Sequence, residues 1–186
     1  MTDRRDPRLL DIAALCRDGE LLDGRLALAD MGRLGSSLFG PVDALAAATW
    51  SAQAGHKPVA GGDPERWLHV AAQAEVSLQC QRCLQLMRQP LVVDRRYRFV
   101  RSEQEAERLD EVIEDEVLTL PGRLDLLALL EDELILALPI VPRHDGNCPQ
   151  PLPMPSNPPD DAPAPNPFAK LAALRTGPHR GEPGQN

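Results

Sequence analysis

Aromatic side chains are scarce in this chain of 186 residues, where Phe, Trp and Tyr together make up 3%. Large rings therefore cannot fill the core, and few platforms exist on which bases could stack. Cations are in deficit as well. Twenty Lys and Arg face 28 Asp and Glu, a formal charge of −8, which argues against tight non-specific binding to nucleic acid, because phosphate neutralisation needs a surplus of basic groups. No uncharged apolar run approaches the roughly 20 residues that a spanning helix needs. The most apolar segment is cut by Glu131, Asp132 and Glu133. The start is charged, and the apolar stretch from Leu9 to Cys16 is broken by Asp11, unlike a secretory leader. A cytoplasmic protein with no membrane partner is expected. Four cysteines without a leader read as thiols or metal ligands rather than a disulfide framework. A P-loop, a G-x-G-x-x-G after a strand, an H-E-x-x-H and a G-x-S-x-G are all missing. No catalytic residues, enzyme activity or small-molecule substrate are expected.

What is present is aliphatic and uneven in charge. Apolar residues make up 42%, enough for one domain with its own core. Between Arg82 and Arg101 stand six arginines (Arg82, Arg88, Arg95, Arg96, Arg98, Arg101) against Asp94 alone; from Glu103 to Glu116, eight acidic residues stand against Arg108. The second run reads as a solvated acidic loop, or as a face for a basic partner or a divalent cation.

The first third is punctuated by Gly19, Asp23-Gly24, Gly32, Gly35, Gly40-Pro41, Gly55 and Gly61-Gly62, which favours short strands, with a helical turn or two between Pro7 and Cys16. From Arg66 to Cys80 polar and apolar residues alternate, the period-two pattern of a strand with one buried face. A second strand is expected over Leu91–Val100, making an antiparallel hairpin with Cys80 to Pro90 at its tip. Leu124 to Pro139 has the composition of a helix, capped by Asp125 and stopped by Pro139. Nine prolines in the 19 residues from Pro149 to Pro167 forbid regular ladders and imply an extended linker. Asn166-Pro167-Phe168 can open a short amphipathic helix in which Phe168, Leu171 and Leu174 share a face. The expected organisation is a single α+β domain over 1–148, a linker over 149–165, a short helix over 166–175 and a disordered tail over 176–186. The domain should be a small antiparallel sheet or partly open barrel, with the C-x-x-C hairpin and one long apolar helix packed on it.

Cys80-Gln81-Arg82-Cys83 sets two thiols at knuckle spacing, and His144 and Cys148, spaced H-x-x-x-C, could complete a closed Cys3His zinc site. From spacing alone three readings stay open: a structural zinc site, reduced inert thiols, or a redox pair. The redox pair is disfavoured because both flanks look like strands, whereas such a motif should open a helix. Cys16 reads as a small core residue, and His56, His69 and His179 as isolated surface or core histidines. The hairpin arginines, Arg82, Arg95, Arg96 and Arg98, could simply protect a sheet edge, or contact RNA phosphates or an acidic protein.

VSLQCQRCLQLM (Val76–Met87), RSEQEAERLDE (Arg101–Glu111), LDLLALLEDELILALPIVPRHDGNC (Leu124–Cys148) and NPFAKLAALR (Asn166–Arg175) resemble, in that order, the signature blocks of the YceD family. The resemblance covers roughly the last 110 residues and not the first 65. It implies a ribosome-biogenesis accessory protein needed for synthesis, processing or stability of 23S ribosomal RNA. Its implied partners are the pre-ribosomal large subunit, ribosomal RNA or an assembly protein, met through binding rather than catalysis. A thiol redox or zinc-dependent regulator using Cys80 and Cys83 is the alternative.

Overall fold

The alternation that begins near Arg66 builds the longest strands of the protein. The structure, a computed structural model, describes residues 6–62, 64–149, 168 and 171. It orders five strands as β1 (Leu21–Ala27), β2 (Ala47–Lys57), β3 (Glu65–Gln79), β4 (Leu86–Val100) and β5 (Glu116–Thr119) in one open sheet. Each neighbouring pair is antiparallel except β4 and β5, which run parallel. The sheet is therefore mixed rather than antiparallel, and among the described residues it does not close into a barrel.

β4 starts at Leu86, so Pro90 lies inside the strand, opposite Glu75, and the hairpin tip is shorter than expected. The proline is tolerated because β5 pairs only with Tyr97–Val100, which leaves β4 an edge strand at Pro90, where its missing N–H breaks no ladder. The inward face of β3, made of Leu68, Val70, Ala72, Ala74, Val76 and Leu78, is buried. Across it lie Tyr97, Val93, Leu91 and Met87 of β4, also buried.

Four α-helices flank the sheet among the described residues: α1 (Ile12–Asp18), α2 (Gly32–Ser36), α3 (Glu103–Asp110) and α4 (Leu126–Leu136). α1 starts at Asp11, whose carboxylate accepts from the Ala14 N–H at 2.9 Å, and ends on Gly19 in the left-handed region. The first third thus holds two helices among its strands. The glycines read there as strand punctuation cap α1 and begin α2.

α4 is eleven residues long, shorter than the apolar stretch from Leu124 to Pro139. Asp125 caps it through the Ala128 N–H at 2.9 Å, and Leu126, Leu130, Glu133 and Leu134 form its buried stripe. Glu131 joins it to α2 by accepting from the backbone N–H groups of Arg33 and Leu34 at 2.7 and 3.1 Å. The Arg33 guanidinium pairs with Glu131 and Asp132. The first part of the acidic run expected as a loop instead forms α3, capped by Ser102 and burying no residue, while 111–115 remains a loop; a first turn rich in Glu suits a helix N-terminus. No described helix is long and apolar enough to cross a membrane.

The chain divides into two units, Met1–Pro151 and Leu152–Asn186. In the second, the described Phe168 and Leu171 are both exposed, and the Leu171 N–H donates to the Phe168 carbonyl at 2.9 Å. The linker expected over 149–165, the helix over 166–175 and Leu174 otherwise lie outside the described residues.

Candidate functional site

The hairpin tip after β3 is folded by its own backbone: the Leu84 N–H donates to the Cys80 carbonyl at 2.8 Å, and the Cys80 N–H to the Gln85 carbonyl at 2.9 Å. Leu84 completes the tight turn with φ 61°, a left-handed conformation that glycine adopts without strain and leucine does not. The loop after α4 docks on this tip through the Gln81 N–H, which donates to the Pro142 carbonyl at 2.9 Å. Gly146, at φ 74°, turns that loop back.

Docking brings Cys80, Cys83, His144 and Cys148 together, with one ligand atom from each lying within 4.8 Å of the others. Cys80 Sγ is 3.9 Å from Cys148 Sγ, and Cys83 Sγ is 3.5 Å from His144 Nδ1. A tetrahedral zinc with bonds of about 2.3 Å to sulfur and about 2.05 Å to nitrogen would need edges of about 3.8 Å and about 3.5 Å. These two contacts already match the edges of such an ion. Both hairpin thiols are buried and the two loop ligands half-buried.

The surrounding groups orient these donors. His144 Nε2 lies 3.3 Å from the Leu86 carbonyl, which can only accept, so in the neutral ring Nε2 carries the hydrogen and Nδ1 keeps its lone pair toward Cys83. Arg82 Nε donates to Cys148 Sγ at 2.9 Å, and its Nη2 to the Gly146 carbonyl. Burial opposes ionisation of Cys80, but backbone N–H groups at His144, Arg82 and Cys83 outweigh it and hold this thiol down to about 5. Cys83 moves the other way. Burial raises it, and the neighbouring sulfurs of Cys148 and Cys80 add to the rise against an opposing N–H from Gln85. Cys16 is buried apart from this cluster, and burial raises its thiol too.

The hairpin arginines separate into three environments. Arg82 is occupied by the knuckle itself. Arg95 lies on the helix-bearing face, its Nε 3.2 Å from Glu133 Oε2. Arg96 and Arg98 lie on the opposite face, where Arg98 pairs with Glu65 at 2.7 Å and Arg96 faces His69 across the ladder. His69 in turn contacts Asp94. Trp67 stands on this open face with its ring over Gly55, where a Cβ would overlap it. Glu133, which carries Arg95 and the Tyr97 hydroxyl, was not singled out from the sequence. Its signal was there, since Leu126, Leu130, Glu133 and Leu134 fall on one helical stripe.

The family profile described as "Large ribosomal RNA subunit accumulation protein YceD" matches residues 68–175. A Haemophilus influenzae protein named "Large ribosomal RNA subunit accumulation protein YceD" is 39% identical over 107 residues, which cover 55% of this chain and 62% of that protein. The matched stretch thus spans less than two thirds of the relative's length. No solved structure matches the chain. All four candidate ligands, and the hairpin and helix that present them, lie within the matched residues, and the profile covers more than half of the sequence: the chain belongs to the YceD family.

Proposed function

We propose that this protein supports accumulation of large-subunit ribosomal RNA as a cytoplasmic accessory factor in ribosome biogenesis, acting by binding and without a catalytic step. The observation that carries this reading is the family match over residues 68–175, together with the name of the relative that aligns there. A structural zinc held by Cys80, Cys83, His144 and Cys148 fastens the loop after α4 to the hairpin. The domain is residues 1–148. Contacts to ribosomal RNA or to an assembly protein come from Arg96 and Arg98 on the open sheet face and from Phe168, Leu171 and Leu174 in the tail. Arg82 and Arg95 act from within the domain, by bracing the knuckle and Glu133.

Depletion of the protein in its native cell tests the role. Mature 23S ribosomal RNA should fall relative to 16S and recover with the wild-type gene; unchanged levels of 23S and its precursors would refute it. Metal analysis of protein purified without oxygen should give about one zinc per chain, lost in Cys83→Ser. A second reading, thiol redox chemistry, is favoured by the depressed Cys80 thiol. Cys80 has a cationic neighbour in Arg82, as reactive cysteines often do, but it sits at a hairpin tip with three further ligands rather than at a helix N-terminus. The metal reading therefore stands ahead of it.

A further inference from the structure

At the end of β3 away from the knuckle, on the helix-bearing side of the sheet, a cleft of about 120 Å3 is lined by Ala13, Arg17, His56, Pro64 and Arg66. Three of these five residues can carry positive charge and none is a carboxylate. Among the described residues neither arginine enters an ion pair. His56 is anchored by Nδ1, 3.0 Å from the Cys16 carbonyl. That carbonyl accepts, so Nδ1 bears a hydrogen and Nε2 is the ring nitrogen left for another partner.

Like charges turned into one cleft repel, and an anion between them converts that repulsion into attraction. The size restricts which anion. Sites for drug-sized ligands run to about 300–1,000 Å3, and at about 30 Å3 per water this cleft admits only a group of a few heavy atoms. The donor set restricts it further, since a planar carboxylate is satisfied by a single guanidinium fork, whereas a phosphoryl group offers oxygens in several directions. Two arginines and an imidazole from three separate elements suit that spread.

We propose that this cleft, formed by Arg17 of α1, His56 of β2 and Arg66 of β3, is a phosphoryl-binding site. Its lining residues precede the stretch matched by the family profile, and the site stands whether or not the protein acts on ribosomal RNA. The phosphoryl group can belong to an RNA backbone or to a free phosphorylated molecule.

The full chain is titrated with inorganic phosphate, with chloride holding ionic strength constant, while the His56 ring protons are followed by NMR and assigned with His56→Gln. A saturating shift is expected in the wild type and in Arg25→Gln, which alters an exposed strand arginine elsewhere. Binding should be at least tenfold weaker in Arg17→Gln/Arg66→Gln. If that double variant fails to fold, the exposed Arg17→Gln carries the test, with a loss of at least threefold. A second arm titrates a single-stranded oligoribonucleotide. If phosphate displaces it, the natural ligand is an RNA backbone; if it leaves the His56 signals unmoved while phosphate saturates them, the ligand is a free phosphorylated molecule. A linear, unsaturable response to phosphate, or equal affinity in the folded variants, would overturn the site.

Discussion

The Tyr97 hydroxyl on β4 donates to Glu133 on α4, the buried charge of the helix's apolar stripe. Burial and the adjacent carboxylate both raise the tyrosine above its ordinary range, so it stays a donor at any physiological pH. Glu133 also accepts from Arg95. Glu133→Ala strands a buried hydroxyl and removes the partner of Arg95, a change expected to cost about 3 kcal/mol. Tyr97→Phe leaves the Glu133–Arg95 pair in place and should cost about 1 kcal/mol. Urea denaturation of both variants checks the order, and the reverse order would show that Glu133 left without the Tyr97 donor costs more than Tyr97 left without Glu133.

Arg82 should prove a bracing residue whose loss is felt at the metal. Its guanidinium spans Cys148 Sγ and the Gly146 carbonyl, a reach that the single ammonium of lysine does not reproduce. Both Arg82→Ala and Arg82→Lys should lower zinc affinity by about 10- to 100-fold, measured by competition with a chromophoric chelator. An unchanged affinity in Arg82→Lys would mean that charge alone suffices there.

Zinc uptake should release protons, and the two hairpin thiols predict from where. Cys80, held down to about 5, is already a thiolate at neutral pH, whereas Cys83 is raised above the ordinary thiol range and still carries its proton. Zinc must displace that proton, so affinity rises with pH between 6 and 8, by about tenfold per unit for each proton released. Calorimetry in buffers of different ionisation enthalpy counts the protons. A pH-independent affinity would contradict the assigned states.

Leu84→Gly should stabilise the hairpin. Leu84 holds φ 61° and is 49% exposed, so glycine removes about 1 kcal/mol of backbone strain while giving up a side chain that is only half-buried. Thermal unfolding of the zinc-loaded protein reads the gain. A loss would reveal packing by the Leu84 side chain that offsets the strain.

The strands β3 and β4 were legible because alternation over Trp67 to Gln79 and over Val92 to Val100 leaves only one pairing that buries Leu68, Val70 and Tyr97 together. The four knuckle ligands were legible as a set only through their spacings; that they converge depends on the Gln81–Pro142 backbone bond, which no local pattern encodes. β5 was missed because Glu116–Thr119 is four residues long, follows an acidic helix and joins the sheet in parallel. Short strands made by a crossover carry little periodic signal. The cleft of Arg17, His56 and Arg66 was invisible for a different reason. Its members sit on three elements and meet only through the β2–β3 register and the packing of α1.

Cys83 and His144 stand 61 positions apart in the chain, and between them run the whole of β4, α3, β5 and α4. An ion held at both ends therefore makes that stretch a ring, and a ring has far fewer unfolded arrangements than an open chain. By the loop-entropy relation for cross-links, closing about 60 residues is worth about 4 kcal/mol, comparable to the whole stability of many small domains. The knuckle would then set the melting behaviour of strands and helices that never touch the ion.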